Sequence, residues 1–222
     1  MEPFVTHRGR VALLDWSDVN TDLIIPARYL KRVERTGYGP LLFADKRYET
    51  GTAPPPGEPE KHGPEVADFP LNKPEARGAT VLVVGRNFGC GSSREHAVWA
   101  VAQAGYRALI APGKGGGFAD IFEGNAFNNG LLPIELPDAD WHAIADASRA
   151  PGGAEVTIDL KEGEITLHPS AGPECTFAFD VPESNRHRLL NGLDFIAETL
   201  QHDPAISSYE RGAPAWSVPA RV

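Results

Sequence analysis

The 222-residue sequence has only two cysteines, Cys90 and Cys175. Two thiols are too few for a disulfide framework, and too few for an iron–sulfur cluster, which usually takes three or four thiolates. We therefore expect a reduced, cytoplasmic chain without a metal site, and leave a single disulfide open. No run of about 18 apolar residues predicts a membrane span, and the N-terminus lacks the basic and apolar regions of a signal peptide.

Positive charge is also scarce. Lys and Arg number 21 against 30 Asp and Glu, which gives a formal net charge of −9. This acidity argues against nucleic-acid binding, because the phosphate backbone would be repelled. It would also repel a small acidic ligand, so local cations must define any site for one. Hydrophobic residues make up 41% of the chain, which suits one core and predicts a single domain over 1–222.

Strand and helix patterns alternate in the middle of the chain. After a first strand at 10–14, such alternation favours parallel pairing in a three-layer α/β core. The predicted strands and helices are strand 80–84, helix 93–104, strand 106–111, a short helix from Phe118, strand 131–136, and helix 138–147 with Asp138 as its N-cap.

The pattern changes after Pro151. Alternating residues at 155–160 and 164–168 predict a hairpin, and a short strand follows at 176–180. Residues 185–222 read as a C-terminal helical segment. Its features are one helix carrying Leu189, Leu193, Ile196 and Leu200, and a last helix from Asp203 to Glu210.

Residues 51–74 form the clearest irregular segment, with seven prolines and three glycines. Such a segment buries little apolar area and is long for a loop in a compact domain, so it is either mobile or functional.

The most informative stretch is a buried strand that runs through a glycine-rich loop into a helix. Free N–H groups and the positive end of the helix dipole make such a helix start a ready anion site. The expected ligand is small and acidic, with a carboxylate or phosphate. The loop residues are Gly85, Gly89, Cys90, Gly91, Ser92, Ser93 and Arg94.

Several familiar motifs are excluded by this loop. A phosphate-binding P-loop needs Lys after its last glycine, but Ser92 follows Gly91. A hydrolase nucleophile elbow needs glycine two residues after the serine, where Arg94 and Glu95 stand instead. A dinucleotide-binding fingerprint, G-x-G-x-x-G, needs a third glycine where Arg94 stands. What remains is an anion cradle with two serines and no adjacent base. His96 is either a helper or an ordinary helix residue.

The segment 89–97 resembles the serine-arginine loop of the aconitase superfamily. The similarity covers nearly the whole chain in order, which is more specific than one Ser-Ser-Arg motif. The other agreeing segments are 19–26, 31–37, 118–125, 127–133, 191–194 and 199–203.

The resemblance implies a swivelling β/β/α domain and a hydro-lyase that moves a hydroxyl between adjacent carbons of a hydroxy-diacid. Within the superfamily the sequence is most similar to the small-subunit branch that acts on isopropylmalate in leucine biosynthesis. The resemblance further implies a separate large subunit as partner, which carries a [4Fe–4S] cluster and the acid for the leaving hydroxyl. This chain alone is then inactive.

The resemblance also assigns residue roles. Ser92 matches the catalytic base, acting as an alkoxide, and Ser93 and Arg94 match carboxylate-binding positions. For Ser93, a simple helix N-cap is the alternative. Thr21 and Asp22 belong to a second active-site motif; we expect Asp22 to position Arg or Ser groups, with an Asx-turn role as the alternative.

Two further points come from the same resemblance. Segment 29–33 matches the substrate-selecting loop. Leu30 and Val33 would contact an isopropyl group there, whereas Arg32 leaves open a substrate that has a third carboxylate. Arg32 and its neighbours are expected to form a loop over the substrate. The alternative is that they lie on a solvated helix face. Cys90 is expected to be a small packed residue.

The chain departs from the superfamily pattern at a glycine-rich insertion, 113–117, and in the length of 51–74. These departures leave open a paralogous hydro-lyase subunit for another malate derivative, such as citramalate, methylmalate or homoaconitate. A stand-alone anion-binding module and a purely structural subunit, whose serines are only N-caps, also remain alternatives.

Overall fold

A seven-stranded mixed sheet organises residues 1–212, the part of the chain that the computed structural model describes. The strand order is β4-β3-β2-β1-β5-β6-β7. The strands are β1 (Thr6–Leu14), β2 (Val81–Val84), β3 (Ala108–Pro112), β4 (Leu132–Leu136), β5 (Ala154–Asp159), β6 (Glu164–Pro169) and β7 (Cys175–Ala178).

Strand β1 belongs to both halves of the sheet. Its residues 11–14 pair in parallel with β2, with Val11 opposite Val81. Its residues 6–10 pair antiparallel with β5. Strands β2, β3 and β4 continue the parallel half, and β5, β6 and β7 the antiparallel half. The predicted parallel pairing and the C-terminal hairpin are therefore confirmed.

Helices cover both faces of the parallel half. All four residues of β2 are buried, as expected for a strand between two layers. Leu82 and Val84 face one core, while Val81 and Val83 face the other. The predicted three-layer α/β core is confirmed. The helices are α1 (Thr21–Ile24), α2 (Ala44–Arg47), α3 (Glu95–Gln103), α4 (Asp120–Asn128), α5 (Asp138–Arg149), α6 (Glu183–Asn191), α7 (Phe195–Leu200) and α8 (Asp203–Gly212).

Two helix predictions were wrong in detail. The single helix expected through Leu200 is two helices, because Gly192 ends α6 in a left-handed conformation with φ of 66°. Asp138 is not an N-cap: Pro137 holds that position, and Asp138 is the first residue of α5. The carboxylate of Asp138 instead accepts a hydrogen bond from Arg86 Nη2 at 2.6 Å.

The proline-rich segment 51–74 packs onto the domain without forming a strand or α-helix. The Tyr29 hydroxyl donates to the Pro54 carbonyl at 2.5 Å, and Tyr48 and Glu65 form an antiparallel bridge. Two short 3-10 turns, at Pro70–Asn72 and Pro74–Ala76, lead back towards β2.

The C-terminal helical extension contains α6, α7 and α8, and α8 begins at Asp203 as predicted. The rest of that predicted segment, 213–222, lies outside the described residues. The single-domain boundary 1–222 stays a prediction. No helix within residues 1–212 is both long and apolar enough to cross a membrane.

Candidate active site

The loop after β2 lies between two other segments of chain. Asn20 and Cys90 form a parallel bridge on one side, and Phe88 and Phe118 form another on the opposite side. The loop therefore prolongs the parallel sheet beyond β2. Ligands of parallel α/β sheets bind beyond the carboxyl ends of the strands, and this loop occupies that position.

Val19 and the first residue of α1, Thr21, hold one edge of the loop through three hydrogen bonds. Gly89 N donates to Val19 O at 2.8 Å, and Thr21 N donates to Cys90 O at 2.9 Å. The buried Thr21 hydroxyl donates to Ser92 O at 2.8 Å. The backbone on both sides of Gly91 is thereby tied to a motif 70 residues earlier in the chain.

Asp22 forms an ion pair with Arg94. The Arg94 side chain is only 17% exposed and the Asp22 side chain 53%, so the pair lies at the rim of the loop. The Asx-type role falls to Asn20 instead, since its Oδ1 accepts from Leu23 N at 2.8 Å and caps α1. Asp22 is thus placed to orient the guanidinium.

Glycine is required in the loop at Gly89. Its φ is +80°, and a Cβ there would lie 2.2 Å from Cγ of Phe122. Gly91 has φ of +88°, which other residues adopt only with strain. Between them, burial raises the pKa of the Cys90 thiol, with the Asp18 charge adding to the shift. The thiol therefore stays protonated and behaves as a packed side chain.

Both serines lie in the loop and are exposed. The expectation that the helix starts at Ser93 was wrong, because α3 begins at Glu95 with Arg94 as its N-cap. Ser93 is therefore not a helix N-cap, and it lines the cavity beside the loop. Ser92 lines the same cavity.

This cavity has a volume of about 200 Å³. The glycine loop forms one wall, and the start of α4 forms the other. The positive ends of two helix dipoles, α3 and α4, therefore border one small space. Its lining residues are Thr21, Gly89, Gly91, Ser92, Ser93, Arg94, Ala119, Asp120, Ile121 and Phe122.

The α4 wall gives the cavity an apolar side. Ile121 is 55% exposed although it lines the cavity, and Phe122 packs edge-on against Phe88 beneath it. Burial raises the pKa of Glu123, and the carboxylates of Glu135 and Asp120 raise it further. A small ligand in the cavity would meet hydroxyls and a cation on one side, and on the other the hydrocarbon of Ile121 and Phe122 beside the Asp120 carboxylate.

His96 does not line the cavity. Its ring packs against Trp99 at 4.7 Å and Tyr38 at 5.5 Å between centroids. Burial lowers its pKa, and the nearby Arg94 also acts in that direction. The ring is thus a neutral packing group rather than a base for the serines.

Four of the predicted substrate-binding residues are not part of the cavity lining: Asp22, which pairs with Arg94 there, and Leu30, Arg32 and Val33. Arg32 closes its own loop, since Nη1 donates to Gly37 O at 3.0 Å. Its guanidinium also covers the Tyr38 ring. Val33 is 93% exposed, whereas Leu30 packs partly against the core. Tyr29 ends a short 3-10 helix, Ala27–Tyr29, and residues 30–33 form a loop, whose contact with substrate stays a prediction.

The residues that sequence reasoning missed are those of the α4 wall, Ala119 to Phe122. The signal was present, since segment 118–125 was among those that matched the superfamily, but nothing in the spacing places it against Ser92. The bridge between Phe88 and Phe118, together with the packing of Phe122 on Phe88, brings the two segments together.

The side chains of this chain do not fit an iron–sulfur cluster. Cys90 is half-buried in the loop, and Cys175 is exposed on β7 at the other edge of the sheet. Within residues 1–212, no three or more His, Cys, Asp or Glu side chains are grouped so as to hold a metal ion.

Comparison with known proteins identifies the family. The aconitase C-terminal domain family matches residues 1–139. The 3-isopropylmalate dehydratase small subunit of Shewanella amazonensis is 48% identical over 218 residues, which cover 97% of this chain and 99% of that protein. The chain belongs to the family of 3-isopropylmalate dehydratase small subunits. The small subunit of Desulforapulum autotrophicum is 43% identical over 222 residues, covering 97% of this chain and 98% of that protein.

The fold agrees with a solved structure of the same family. The crystal structure of 3-isopropylmalate dehydratase from Methanocaldococcus jannaschii superimposes with a TM-score of 0.58 at 28% identity. The match covers 92% of this chain and 99% of that one. The aconitase-type fold predicted from the sequence is therefore confirmed for this small-subunit family member.

Proposed function

We propose that this chain is the small subunit of a 3-isopropylmalate dehydratase in leucine biosynthesis. The enzyme would interconvert 2-isopropylmalate and 3-isopropylmalate by removing and returning water, through isopropylmaleate. The observation that carries the proposal is the convergence of Ser92, Ser93 and Arg94 on one cavity, with Asp22 paired to Arg94, in a chain of this family.

The cationic side of the cavity suits a substrate carboxylate. The planar guanidinium of Arg94 can donate two parallel hydrogen bonds to a carboxylate, and the Ser93 hydroxyl can donate another. Removal of the proton from the adjacent carbon places negative charge on that carboxylate. Fixed donors aimed at the developing charge then stabilise the transition state more than the ground state.

We assign Ser92 as the base that removes the proton from the substrate carbon. Its oxygen would take the proton from the carbon while the carbon–carbon double bond forms and the hydroxyl leaves the neighbouring carbon. A serine is a weak acid, so its alkoxide needs stabilisation by loop N–H groups, the α3 N-terminus and Arg94. The bond from Thr21 to the Ser92 carbonyl fixes the backbone from which the hydroxyl projects.

The large subunit would complete the site. The acid that protonates the departing hydroxyl has no candidate in the cavity wall apart from Asp120, and the cavity is open on the side of Ile121. We assign that acid and the [4Fe–4S] cluster to the large subunit, because the thiols of this chain do not fit a cluster. The isolated small subunit is then inactive.

Reconstitution tests this function. The purified chain is mixed with a cluster-loaded large subunit, and isopropylmaleate formation from 3-isopropylmalate is followed by ultraviolet absorbance. We expect activity only when both chains are present, and loss of kcat by at least about 100-fold in Ser92→Ala. Arg94→Lys should raise KM as well, because an ammonium cannot replace the bidentate fork.

Matched controls use residues of the same type outside the cavity. Ser208→Ala changes an exposed serine of α8, and Arg8→Lys changes an exposed arginine paired with Glu155. Both should keep full activity. Full activity in Ser92→Ala would contradict the assignment of the base. A stable two-subunit complex that is silent on isopropylmalate but turns over citramalate would contradict the substrate.

A further inference from the structure

The glycine-rich insertion, 113–117, lies along the second edge of the serine loop. Asn87 N donates to Gly116 O at 3.1 Å, and Phe88 N donates to Gly117 O at 2.9 Å. In return, Ala119 N donates to Phe88 O at 3.0 Å. The backbone just before Gly89 is thus held on this side too.

A carboxylate from β4 holds the insertion in place. Glu135 Oε1 accepts from Gly117 N at 2.7 Å and from Phe118 N at 3.2 Å. The fit is close, because a Cβ on Gly117 would lie 2.8 Å from the Ala111 Cβ and 3.0 Å from that same oxygen. A carboxylate that accepts two backbone N–H groups forms bonds roughly twice as strong as neutral ones.

The insertion is anchored at two more points. Arg86 Nε donates to Lys114 O at 2.8 Å, and its Nη2 donates to Asp138 Oδ2 at 2.6 Å. Gly113 N donates to Leu136 O at 2.8 Å, next to Glu135 on β4. These bonds connect the insertion to the first turn of α5 and to the end of β4.

We propose that Glu135 is a positioning residue for the catalytic serine. Its carboxylate holds Gly117 and Phe118 against Phe88, and this second edge matches the edge that Thr21 holds on the opposite side. The two hydrogen bonds to Glu135 come from Gly117 and Phe118 and not from Ser92, so the carboxylate acts on Ser92 only through the backbone. The inference rests on the proposed function of Ser92.

Loss of the carboxylate would leave two N–H groups without their acceptor. The insertion would then shift, and the backbone around Phe88 and Gly89 would sample more positions. Misplacement of a reacting group by about 1 Å can cost about 100-fold in rate. We expect kcat of Glu135→Ala to fall about 10- to 100-fold, while KM changes much less because Arg94 is held separately by Asp22.

The experiment compares two substitutions in the reconstituted two-subunit enzyme. Glu135→Ala removes the acceptor, whereas Glu135→Gln keeps an amide oxygen that can accept both bonds. The expected result is low kcat in Glu135→Ala and recovery of most of it in Glu135→Gln. Glu155→Ala is the control, since it removes another β-strand glutamate whose carboxylate pairs with Arg8 at the surface.

Each outcome separates this inference from the proposed function. Low activity in Ser92→Ala with normal kcat in Glu135→Ala would overturn the positioning role alone. Full activity in Ser92→Ala would overturn the proposed function first. A lower melting temperature in Glu135→Ala with unchanged kcat per folded enzyme would assign the carboxylate to stability only. Equal losses of kcat in the Gln and Ala variants would contradict a role through the two backbone hydrogen bonds, because the Gln variant keeps their acceptor.

Discussion

The Thr21 hydroxyl donates a hydrogen bond to the carbonyl oxygen of Ser92 at 2.8 Å, although the two residues are 71 positions apart in sequence. The threonine is 2% exposed, so water does not compete for that bond. The bond joins two motifs that the sequence shows only as separate matches. Through this bond the motif that contains Thr21 contacts the backbone carbonyl of Ser92 and not its side chain.

Replacement of Thr21 by valine tests that bond, because valine keeps the shape and removes the hydroxyl. The unpaired Ser92 carbonyl should lower the free energy of unfolding by about 0.5–1.5 kcal/mol. We also expect a lower kcat in the two-subunit enzyme. Thr21→Ser keeps the donor and should retain most of both quantities, as urea unfolding and steady-state kinetics will measure. Equal behaviour of the Val and Ser variants would contradict a role for the hydroxyl.

Substitution of Gly89 by alanine should disrupt the loop. The new Cβ would overlap the Phe122 ring, and the residue would keep a positive φ. Overpacking costs about 1–3 kcal/mol, and the positive φ adds about 1 kcal/mol. Gly124→Ala is the matched control, since its Cβ meets no atom within 4 Å in α4 and should be neutral or stabilising. Thermal unfolding compares the two, and equal melting temperatures would contradict the close fit.

Asp22→Asn tests the orientation of Arg94. The amide can no longer pair with the guanidinium as a charge, so the guanidinium should hold the substrate carboxylate less well. We expect KM to rise about 10-fold, equivalent to about 1.4 kcal/mol, with a smaller effect on kcat. Asp45→Asn breaks the exposed pair with Arg28 and should leave the kinetics unchanged. A lower KM in Asp22→Asn would mean that Asp22 competes with the substrate instead.

The burial of His96 predicts a dependence of stability on pH. Burial lowers its pKa, so the folded ring stays neutral where the unfolded ring, with a pKa of about 6.5, takes up a proton. The contribution is therefore complete above about pH 6.5 and is lost as the pH falls through the folded pKa. His96→Phe keeps a ring beside Trp99 and should lose less free energy of unfolding between about pH 7.5 and pH 5.5 than the unaltered chain.

The exposed His202 provides the control for that measurement. His202→Phe should show the same loss of stability on acidification as the unaltered chain. An equally steep loss in His96→Phe would show that other groups dominate the acid response. Urea unfolding at the two pH values gives the free energies directly.

The parallel core could be predicted from the sequence because its strands are short apolar runs with strong helix signals between them. The glycine loop was also recognisable from the local sequence, because glycine is the residue that adopts positive φ without strain. The helix starts were less accurate. Ser93 is a good N-cap in isolation, but Arg94 takes that position here, in the segment where the loop is held from both sides.

The remainder of the site depends on contacts between distant segments. Nothing in the local sequence around Ile121 places it opposite Ser92, and nothing around Glu135 indicates that it binds the insertion. Both follow from the neighbouring positions of β2, β3 and β4 in the sheet. Composition and periodicity report local preference, whereas these contacts depend on which strands are neighbours in the sheet.

Strand β1 also separates the parallel half of the sheet, which leads into the serine loop, from the antiparallel half. The serine loop follows β2, whereas the turn between β5 and β6 belongs to strands that pair outward from the opposite edge of β1. Lys161 and Glu162 are exposed at that turn. A fluorophore or an affinity tag placed there would report on assembly with a second chain while leaving the chemistry untouched.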